Sequence, residues 1–243
     1  MARETAEIPA AAERLLARTD VFAAIAERLE RARPRIVVFC GRGSSGHVGV
    51  YLRYLFEARL GLLASAAAPS VVTAYQRPPD FRDALFVVVS QSGRSPDLIE
   101  ATQVARKFGA LTLAIVNDEN SPAAAASELV LPIGAGTEHA VAATKTVVLS
   151  MIAGARLVAT MARDDDLNDG LQHLPLRLSG ALACDWSAWA DNAAGATAIF
   201  ESHPLERRFR DIHTVTQQLQ GRLSHFETVG AWMMGADADL TFV

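Results

Sequence analysis

Five short apolar runs alternate with helical patterns along most of this chain, and this alternation constrains the fold more than any other feature. Strands are predicted at 35–40, 62–66, 84–89, 111–116 and 129–133. Apolar runs of this length are typical of strands buried on both faces, and strands that alternate with helices form parallel sheets. The sequence therefore predicts an α/β fold with a five-stranded parallel sheet covered by helices on both faces.

The segments between the predicted strands have apolar residues at helical spacing or begin with proline. Helices are predicted at 8–32, 47–60, 70–75, 96–108 and 139–161, with a short alanine-rich helix starting at Pro122. A further helical stretch covers 167–189. The three aspartates at 164–166 before it are predicted to form a solvated loop or helix start, because carboxylate clusters are usually exposed.

Polar turns follow three of the predicted strands, at 41–46, 90–95 and 134–138. Ligands of parallel sheets bind at the carboxyl ends of the strands, so turns at neighbouring strands would converge. Unpaired N–H groups at a helix start and serine hydroxyls bind anions. Three serines and a glutamine within 90–95 exceed what a helix cap requires. We therefore predict an anion site of the phosphate-binding kind.

The turn at 41–46 has two other interpretations. Its Gly-x-Gly-x-x-Gly spacing matches the dinucleotide-binding fingerprint, but residues 62–70 lack the acidic residue expected to bind the ribose. The second interpretation is an ordinary strand-to-helix turn that requires glycine for its backbone conformation. Ser44 and Ser45 fit hydrogen bonds to a sugar hydroxyl or a phosphate better.

Glu138 lies on the third polar turn, just before a predicted helix. It could act as a general acid or base if its pKa is raised next to a substrate. It could equally be a glutamate that the dipole of the helix start stabilises. Both interpretations stay open at the level of the sequence.

The composition excludes several classes of function. The net charge is −4 and the densest basic run is short, which argues against nucleic-acid binding. The most apolar long window, 140–162, contains Lys145 and Arg156, which favours a buried helix over a membrane span. The N-terminus has early acidic residues and no apolar core, unlike a signal peptide.

The cysteines and histidines indicate neither a disulfide framework nor a metal centre. Cys40 ends an apolar run and is predicted to be buried, and only two cysteines occur. This usage suits a reducing cytoplasm. His47 and His139 lack the spacing of metal ligands. We expect no metal, no cofactor, no nucleic acid and no membrane among the partners.

Three motifs together resemble the sugar isomerase (SIS) domain family: CGRGSSGH at 40–47, SQSGRSPD at 90–97 and EHAVAATKT at 138–146. The likeness is greatest to the isomerase half of glucosamine-6-phosphate synthase, with glucosamine-6-phosphate deaminases and ketose/aldose isomerases as related members. The resemblance implies a three-layer, flavodoxin-like sheet of five parallel strands, and it covers a domain at 1–190.

The resemblance also implies roles for individual residues. The side chains that would bind the sugar phosphate are Ser90, Gln91, Ser92 and Ser95. Those that would line the sugar are Ser44 and Ser45. Those at the pocket edge are Glu138, Val141, Ala142 and Lys145, with Glu138 as the candidate catalytic group. Enzymes of this group normally carry a second such domain that supplies a catalytic glutamate and a histidine, and this chain does not continue in that way.

The tail at 191–243 resembles a different family. The stretch PLERRFRDIHTVTQ at 204–217 is similar to the C-terminal helices of acyl-CoA dehydrogenase-like flavoproteins. We expect a short helical tail, joined as in a gene fusion. Its apolar stripe would cover the first domain or a partner subunit.

Three functions follow as hypotheses. The first is isomerisation or deamination of a phosphorylated ketose or amino sugar, which needs a general base. The second is a non-catalytic sugar-phosphate-binding regulatory module. The third, suggested by the tail alone, is a fragment of a flavin-dependent acyl-CoA oxidoreductase. A homodimer is predicted, because a lone domain of this type would leave its pocket open.

Overall fold

The structure is a computed structural model, and it describes residues 2–139 and 143–185. The fold below is that of the first of two compact units, Met1–Ala183. The predicted helical tail at 191–243 lies outside the described residues, as do the last residues of the helical stretch predicted at 167–189.

The predicted parallel sheet is confirmed. Its strands are β1 (Ile36–Cys40), β2 (Leu63–Ala66), β3 (Ala84–Ser90), β4 (Leu111–Val116) and β5 (Leu129–Pro132). All neighbours pair in parallel, in the order β2-β1-β3-β4-β5. This is the flavodoxin-like order of a doubly wound sheet. The central strands β3 and β4 are buried along their whole length, as their continuous apolar runs predict.

Helices cover both faces of the sheet. They are α1 (Ala2–Ala6), α2 (Ile8–Leu16), α3 (Thr19–Ala32), α4 (Ser44–Leu60), α5 (Pro69–Thr73), α6 (Pro96–Lys107), α7 (Pro122–Ala126), α8 (Lys145–Ala162), α9 (Asp165–Gln172) and α10 (Leu174–Ala183). One core joins α2, α3, α4 and α8 to one face of the sheet. A second core joins α6 and α7 to the other face, and it contains Cys40, which is buried as predicted.

Two of the predicted helices are divided. The helix predicted at 8–32 breaks after Leu16, because Arg18 leaves the helical conformation (φ −82°, ψ 52°) before α3 begins. The stretch predicted from 167 breaks at His173, where Pro175 removes a backbone donor from the next turn. The start at 164–166 is confirmed, since the Asp164 carboxylate accepts a hydrogen bond from the Leu167 N–H at 2.9 Å.

Helix α8 is the buried helix that the sequence predicts. Among the described residues it is the one helix long and apolar enough to cross a membrane, and 61% of it is buried within the fold. A core helix of a globular domain has the same length and composition. The burial therefore explains its apolar character.

Both edges of the sheet carry polar contacts from helices. On β2, the outward-facing N–H of Ala64 donates to the Glu57 carboxylate of α4 at 3.1 Å. On β5, the carbonyl of Pro132 accepts a hydrogen bond from the Arg18 side chain at 3.4 Å. Proline is tolerated at such a position because an edge strand does not need its donor.

Gly154 lets α8 approach α4 closely, and we expect Gly154→Ala to destabilise the protein. A Cβ at this position would lie 2.3 Å from a methyl carbon of Leu52, which is fully buried and has little room to move. Overpacking outweighs the better helix propensity of alanine, so the free energy of unfolding falls by about 1 kcal/mol. Urea denaturation measures this loss.

Gly170→Ala is the matched control, because a Cβ there meets nothing within 4 Å. This change in α9 should raise the free energy of unfolding by about 0.5–1 kcal/mol. Equal effects of the two substitutions would contradict a close approach at Gly154.

Candidate functional site

The strand order reverses between β1 and β3. From β1 the chain proceeds to β2 on one side, and from β3 it proceeds to β4 on the other. The two strands pair from Ile36 with Ala84 to Cys40 with Val88, so their carboxyl ends lie side by side. Ligands of doubly wound sheets bind in the crevice at this switch point. Two of the three polar turns therefore meet as predicted, and the turn after β5 lies two strands away from β3.

The turn after β1 is shorter than predicted. Helix α4 begins at Ser44 rather than near residue 47, so Ser44 and Ser45 form its first turn. Gly41 makes this possible, since a Cβ there would lie 2.9 Å from the backbone of Ser45. The two predicted sugar-lining serines thus lie at a helix start, where backbone N–H groups favour anions.

The turn after β3 is built by its own serines. Ser90 ends the strand, and its buried hydroxyl accepts a hydrogen bond from the Gly93 N–H at 3.1 Å. The Ser92 hydroxyl accepts one from the Arg94 N–H at 3.3 Å. Gly93 has a positive φ of 62°, and a Cβ there would meet the hydroxyl of Ser121 at 2.2 Å. The turn is therefore preformed, and it requires glycine at this position.

Ser95 occupies the N-cap of α6 without capping it. Its side chain makes no capping hydrogen bond within the described part of the chain, whereas Ser121 caps α7 through the Ala124 N–H. Gln91 and Ser92 are exposed on the same turn. Helix capping thus does not account for Ser95, which lies at the N-terminus of α6.

Two arginines of the motifs connect the turns, and the sequence did not single them out. Arg42 forms an ion pair with Asp97 at 2.8 Å, which joins the β1 turn to the start of α6. Arg94 pairs with Asp118 at 3.1 Å, which joins the β3 turn to the loop after β4. Both arginines are at least half exposed, and such pairs contribute little to stability. An anion at the switch point can therefore compete for them.

Asn117 holds the turn after β5 against the end of β4. Its side chain donates to the carbonyl of Gly136 and accepts from the N–H of Ala135, both at 2.8 Å. Asn117 was not among the predicted site residues, although its position directly after a predicted strand could have indicated this role.

Helix α8 begins at Lys145, not at His139 as predicted, and Glu138 caps it from the preceding loop. The Glu138 carboxylate accepts hydrogen bonds from the Thr144 N–H at 3.0 Å and the Thr144 hydroxyl at 2.9 Å. It also accepts from the N–H and the hydroxyl of Thr146. The carboxylate thus satisfies backbone and hydroxyl donors at the start of α8.

These contacts determine the charge state of Glu138. Partial burial raises the pKa of its carboxyl, but the hydrogen bonds from Thr146 and Thr144 outweigh burial, and the net pKa is lowered. A general base for C–H deprotonation needs a pKa near the working pH. The geometry favours a capping role for Glu138, in line with the interpretation that the dipole of the helix start stabilises its carboxylate. The catalytic role of Glu138 stays a prediction.

Two glutamates near the N-terminus, Glu4 and Glu7, bind His139 and Lys145. Lys145, predicted at the pocket edge, is only 3% exposed in its side chain and pairs with Glu7 at 2.5 Å. The Glu4 carboxylate accepts a hydrogen bond from the His139 N–H at 2.5 Å. The hydrogen bond from the Lys145 ammonium is the main cause that lowers the pKa of the Glu7 carboxyl. The other two pocket-edge residues, Val141 and Ala142, lie outside the described residues.

No group of three metal-ligating side chains occurs within the ranges 2–139 and 143–185. His47 and His139 are both exposed. At the end of β1, burial raises the pKa of the Cys40 thiol to about 12, so the thiol is neutral and a poor nucleophile. The chemistry of the described site is thus that of hydroxyls, amides and arginines.

A parallel sheet with hydroxyl-rich turns at its switch point defines a ligand-binding α/β domain. The family model of the SIS domain matches residues 29–160, which is more than half of the chain. The chain belongs to the SIS domain family. The members of this family that it resembles include sugar-phosphate isomerases and aminotransferases.

Individual relatives support this membership. The chain is 33% identical over 132 residues to a glutamine–fructose-6-phosphate aminotransferase (isomerizing) from Campylobacter jejuni, covering 54% of this chain and 22% of the relative. It is 41% identical to a solved candidate phosphosugar isomerase from Silicibacter pomeroyi, with a TM-score of 0.78, covering 80% of this chain and 60% of that one.

The C-terminal domain of glucosamine-fructose-6-phosphate aminotransferase from Francisella tularensis has the same fold, with 21% identity and a TM-score of 0.61. This match covers 74% of the present chain and 52% of the other. The chain thus spans less than a quarter of the Campylobacter relative and between half and two thirds of these two solved structures.

A second family model, the C-terminal domain of acyl-CoA dehydrogenases, matches residues 119–220. The match includes the stretch at 204–217 that carries the resemblance in the sequence. It also overlaps the SIS match at 119–160. Within that overlap β5 belongs to the parallel sheet, so this part of the chain is built as an α/β domain.

We expect Glu138→Gln to destabilise the protein at neutral pH, because an amide offers one acceptor oxygen where the carboxylate offers two. Loss of this cap lowers the free energy of unfolding by about 1 kcal/mol. Urea denaturation at pH 7 measures the loss, with Glu100→Gln on the exposed side of α6 as the matched control.

The loss should depend on pH in a defined direction. Because the folded pKa of Glu138 is lowered, its contribution is present above the ordinary glutamate pKa and disappears as the pH falls through the folded value. The wild type and Glu138→Gln should therefore differ in stability at pH 7 and converge at an acidic pH below the folded pKa of Glu138. A difference that is equal at both pH values would contradict the capping role.

Proposed function

We propose that this chain binds a phosphorylated ketose or amino sugar at the switch point between β1 and β3. The observation that carries the proposal is the pairing of these strands, which brings the turns at 41–46 and 90–95 together. Membership in the SIS domain family supports the same class of ligand.

The phosphate would bind at the turn after β3. The groups proposed to hold it are the side chains of Ser90, Gln91, Ser92 and Ser95, together with the N-terminus of α6. Hydroxyl and backbone N–H donors suit a dianion at a helix start. Arg42 and Arg94 would exchange part of their pairing with Asp97 and Asp118 for the phosphate.

The sugar would lie along the start of α4, beside Ser44 and Ser45. Ser44 is exposed and Ser45 is half-buried, so neither residue is closed off from a ligand. We propose a domain at 1–190 for this function, with the segment at 191–243 as a separate addition.

The finer proposal is isomerisation or deamination of the glucosamine-6-phosphate type. This reaction moves a proton between neighbouring carbons of the open-chain sugar and therefore requires a general base. Glu138 is the candidate in a matching motif, but its oxygens are engaged by Thr144 and Thr146. Turnover would require a rearrangement of this loop or a group from another subunit.

The engaged state of Glu138 favours a second candidate function, a non-catalytic sugar-phosphate-binding module. Such a module needs the two turns and no base. The third hypothesis, a fragment of a flavin-dependent acyl-CoA oxidoreductase, has the match at 119–220 in its favour. A preparation that retains bound flavin would support it.

Ser92→Ala tests the phosphate turn. We expect the affinity for fructose 6-phosphate or glucosamine 6-phosphate, measured by calorimetry, to fall by about tenfold or more, because a hydrogen bond to a charged group is lost. Ser179→Ala, an exposed serine on α10, is the control and should bind as the wild type does. No binding of either sugar phosphate by the wild type would overturn the proposal.

Turnover separates the two candidate functions. Formation of ammonia or of fructose 6-phosphate from glucosamine 6-phosphate by the wild type would establish the enzyme. Binding that Ser92→Ala weakens, without any turnover, would establish the module.

We also propose that the chain forms a homodimer. Three side chains on the outer face of α4, Val50, Tyr51 and Tyr54, are exposed together with Leu63 of the neighbouring edge strand. Tyr54 and Leu63 are the most exposed of the four, at 73% and 71%. A second copy would cover these exposed apolar side chains of α4 and β2. The free, buried thiol of Cys40 is compatible with the proposed cytoplasmic location.

Tyr54→Glu should raise the dissociation constant of the dimer by tenfold or more in sedimentation experiments, because a carboxylate would be buried in an apolar contact. Phe108→Glu, at an exposed position after α6, is the matched control and should leave the dimer intact. A wild type that is monomeric at micromolar concentration would contradict the proposal.

A further inference from the structure

The crossover from β2 to β3 leaves part of β1 without a helical cover. It runs through residues 67–83, and only Pro69–Thr73 of this segment are helical. A parallel sheet buries its strands under helices on both faces. Here the five residues of α5 are too few, so Ile36 and Val38 of β1 are only half-buried although they face this layer.

A cleft of about 350 Å³ lies in the resulting space, between β1, β3, α5 and α6. This volume is within the lower range of small-molecule pockets, which begins near ~300 Å³. Small side chains leave the space open, since alanines line it from three elements, among them Ala67, Ala84 and Ala101. An alanine methyl cannot fill the gap that a leucine or a phenylalanine would occupy, so the sequence itself encodes the cleft.

The far wall of the cleft is rigid and aromatic. Phe81 and Phe86 pack edge to face, with ring centroids 5.7 Å apart and an angle of 87° between the rings. Both rings are buried, and Pro69 and Pro79 lie at the rim. A preformed wall of this kind lowers the ordering cost of a bound molecule.

The charge at the rim is already compensated. Asp80 is the one ionisable side chain among the lining residues, and the Arg82 Nε lies 2.9 Å from both of its carboxylate oxygens. The hydrogen bond from Arg82 lowers the pKa of Asp80 to about 2, so the carboxylate that faces Arg82 stays ionised over the physiological range. Ser65 adds a single neutral hydroxyl. The cleft therefore offers no free charge to a ligand.

We propose that this cleft binds a small, neutral, apolar molecule of the size of one aromatic ring or a short hydrocarbon chain. Apolar side chains dominate its lining, and pockets of this kind hold small molecules chiefly through hydrophobic and aromatic contacts. The site lies under α5, on the face of the sheet that carries α6, and it uses none of the serines of the switch-point turns. It therefore does not depend on the proposed sugar-phosphate function.

Toluene is the probe, and methyl NMR of the full chain is the measurement. Titration should give saturable shifts at the methyl groups of Ile36, Val38 and Val71, which line the cleft. The methyl groups of the opposite core, such as those of Leu149, should not move. Shifts that are spread over both cores, or no saturable shift, would overturn the proposal.

Two substitutions fill the cleft from different sides. Ala101→Leu projects from α6, and Ala68→Leu stands at the exposed mouth, where folding is not at risk. Each should weaken toluene binding by about tenfold or more. Toluene binding that survives both substitutions would place the site elsewhere and overturn the proposal.

Ala105→Leu is the matched control, one turn further along α6, because Ala105 is fully buried but does not line the cleft. It should lower the melting temperature by about 4 °C or more through overpacking, while Ala101→Leu changes it by about 2 °C or less. Equal losses would show that no space exists beside Ala101. Shifts of the same methyl groups with protein concentration alone would assign the cleft to a second copy of the chain, against the proposal.

Discussion

The parallel pairing of β1 with β3 is the contact on which the rest of the molecule depends. It buries two continuous apolar strands against each other and sets where the chain reverses direction across the sheet. The same pairing fixes the distance between two polar turns that are far apart in the sequence. Gly41 then lets the first turn close against the backbone of Ser45, and Gly93 lets the second turn pack against Ser121, where a Cβ would collide in each case.

The N-terminal residues make a second set of contacts, with the segment between β5 and α8. Glu4 and Glu7 bind the backbone of His139 and the ammonium of Lys145, while Glu138 occupies the start of α8. Three carboxylates thus compensate the donors and the one buried cation of a single segment. Their effect is cumulative, since each removes a group that would be costly to bury alone.

The sequence predicted the architecture well because its signals are local. Continuous apolar runs predicted the five strands and their parallel pairing, and the position of the serine-rich turns followed from the strand ends. The start of α8 was missed, because the Glu138 carboxylate, seven residues before Lys145, caps the helix, and no periodicity reveals that contact. The pairing of Lys145 with Glu7 was missed for the same reason: it joins residues 138 positions apart. The roles of Val141 and Ala142 remain predictions.

The contacts at the two sheet edges have a consequence for how the protein can assemble. Exposed edge strands are templates for intermolecular strand addition and fibre growth. Here the carboxylate of Glu57 occupies a donor on β2, and Arg18 occupies an acceptor at Pro132 of β5. Strand-by-strand polymerisation is thereby opposed at both ends of the sheet. Specific association is directed to the helical faces, where side-chain complementarity rather than backbone pairing selects the partner.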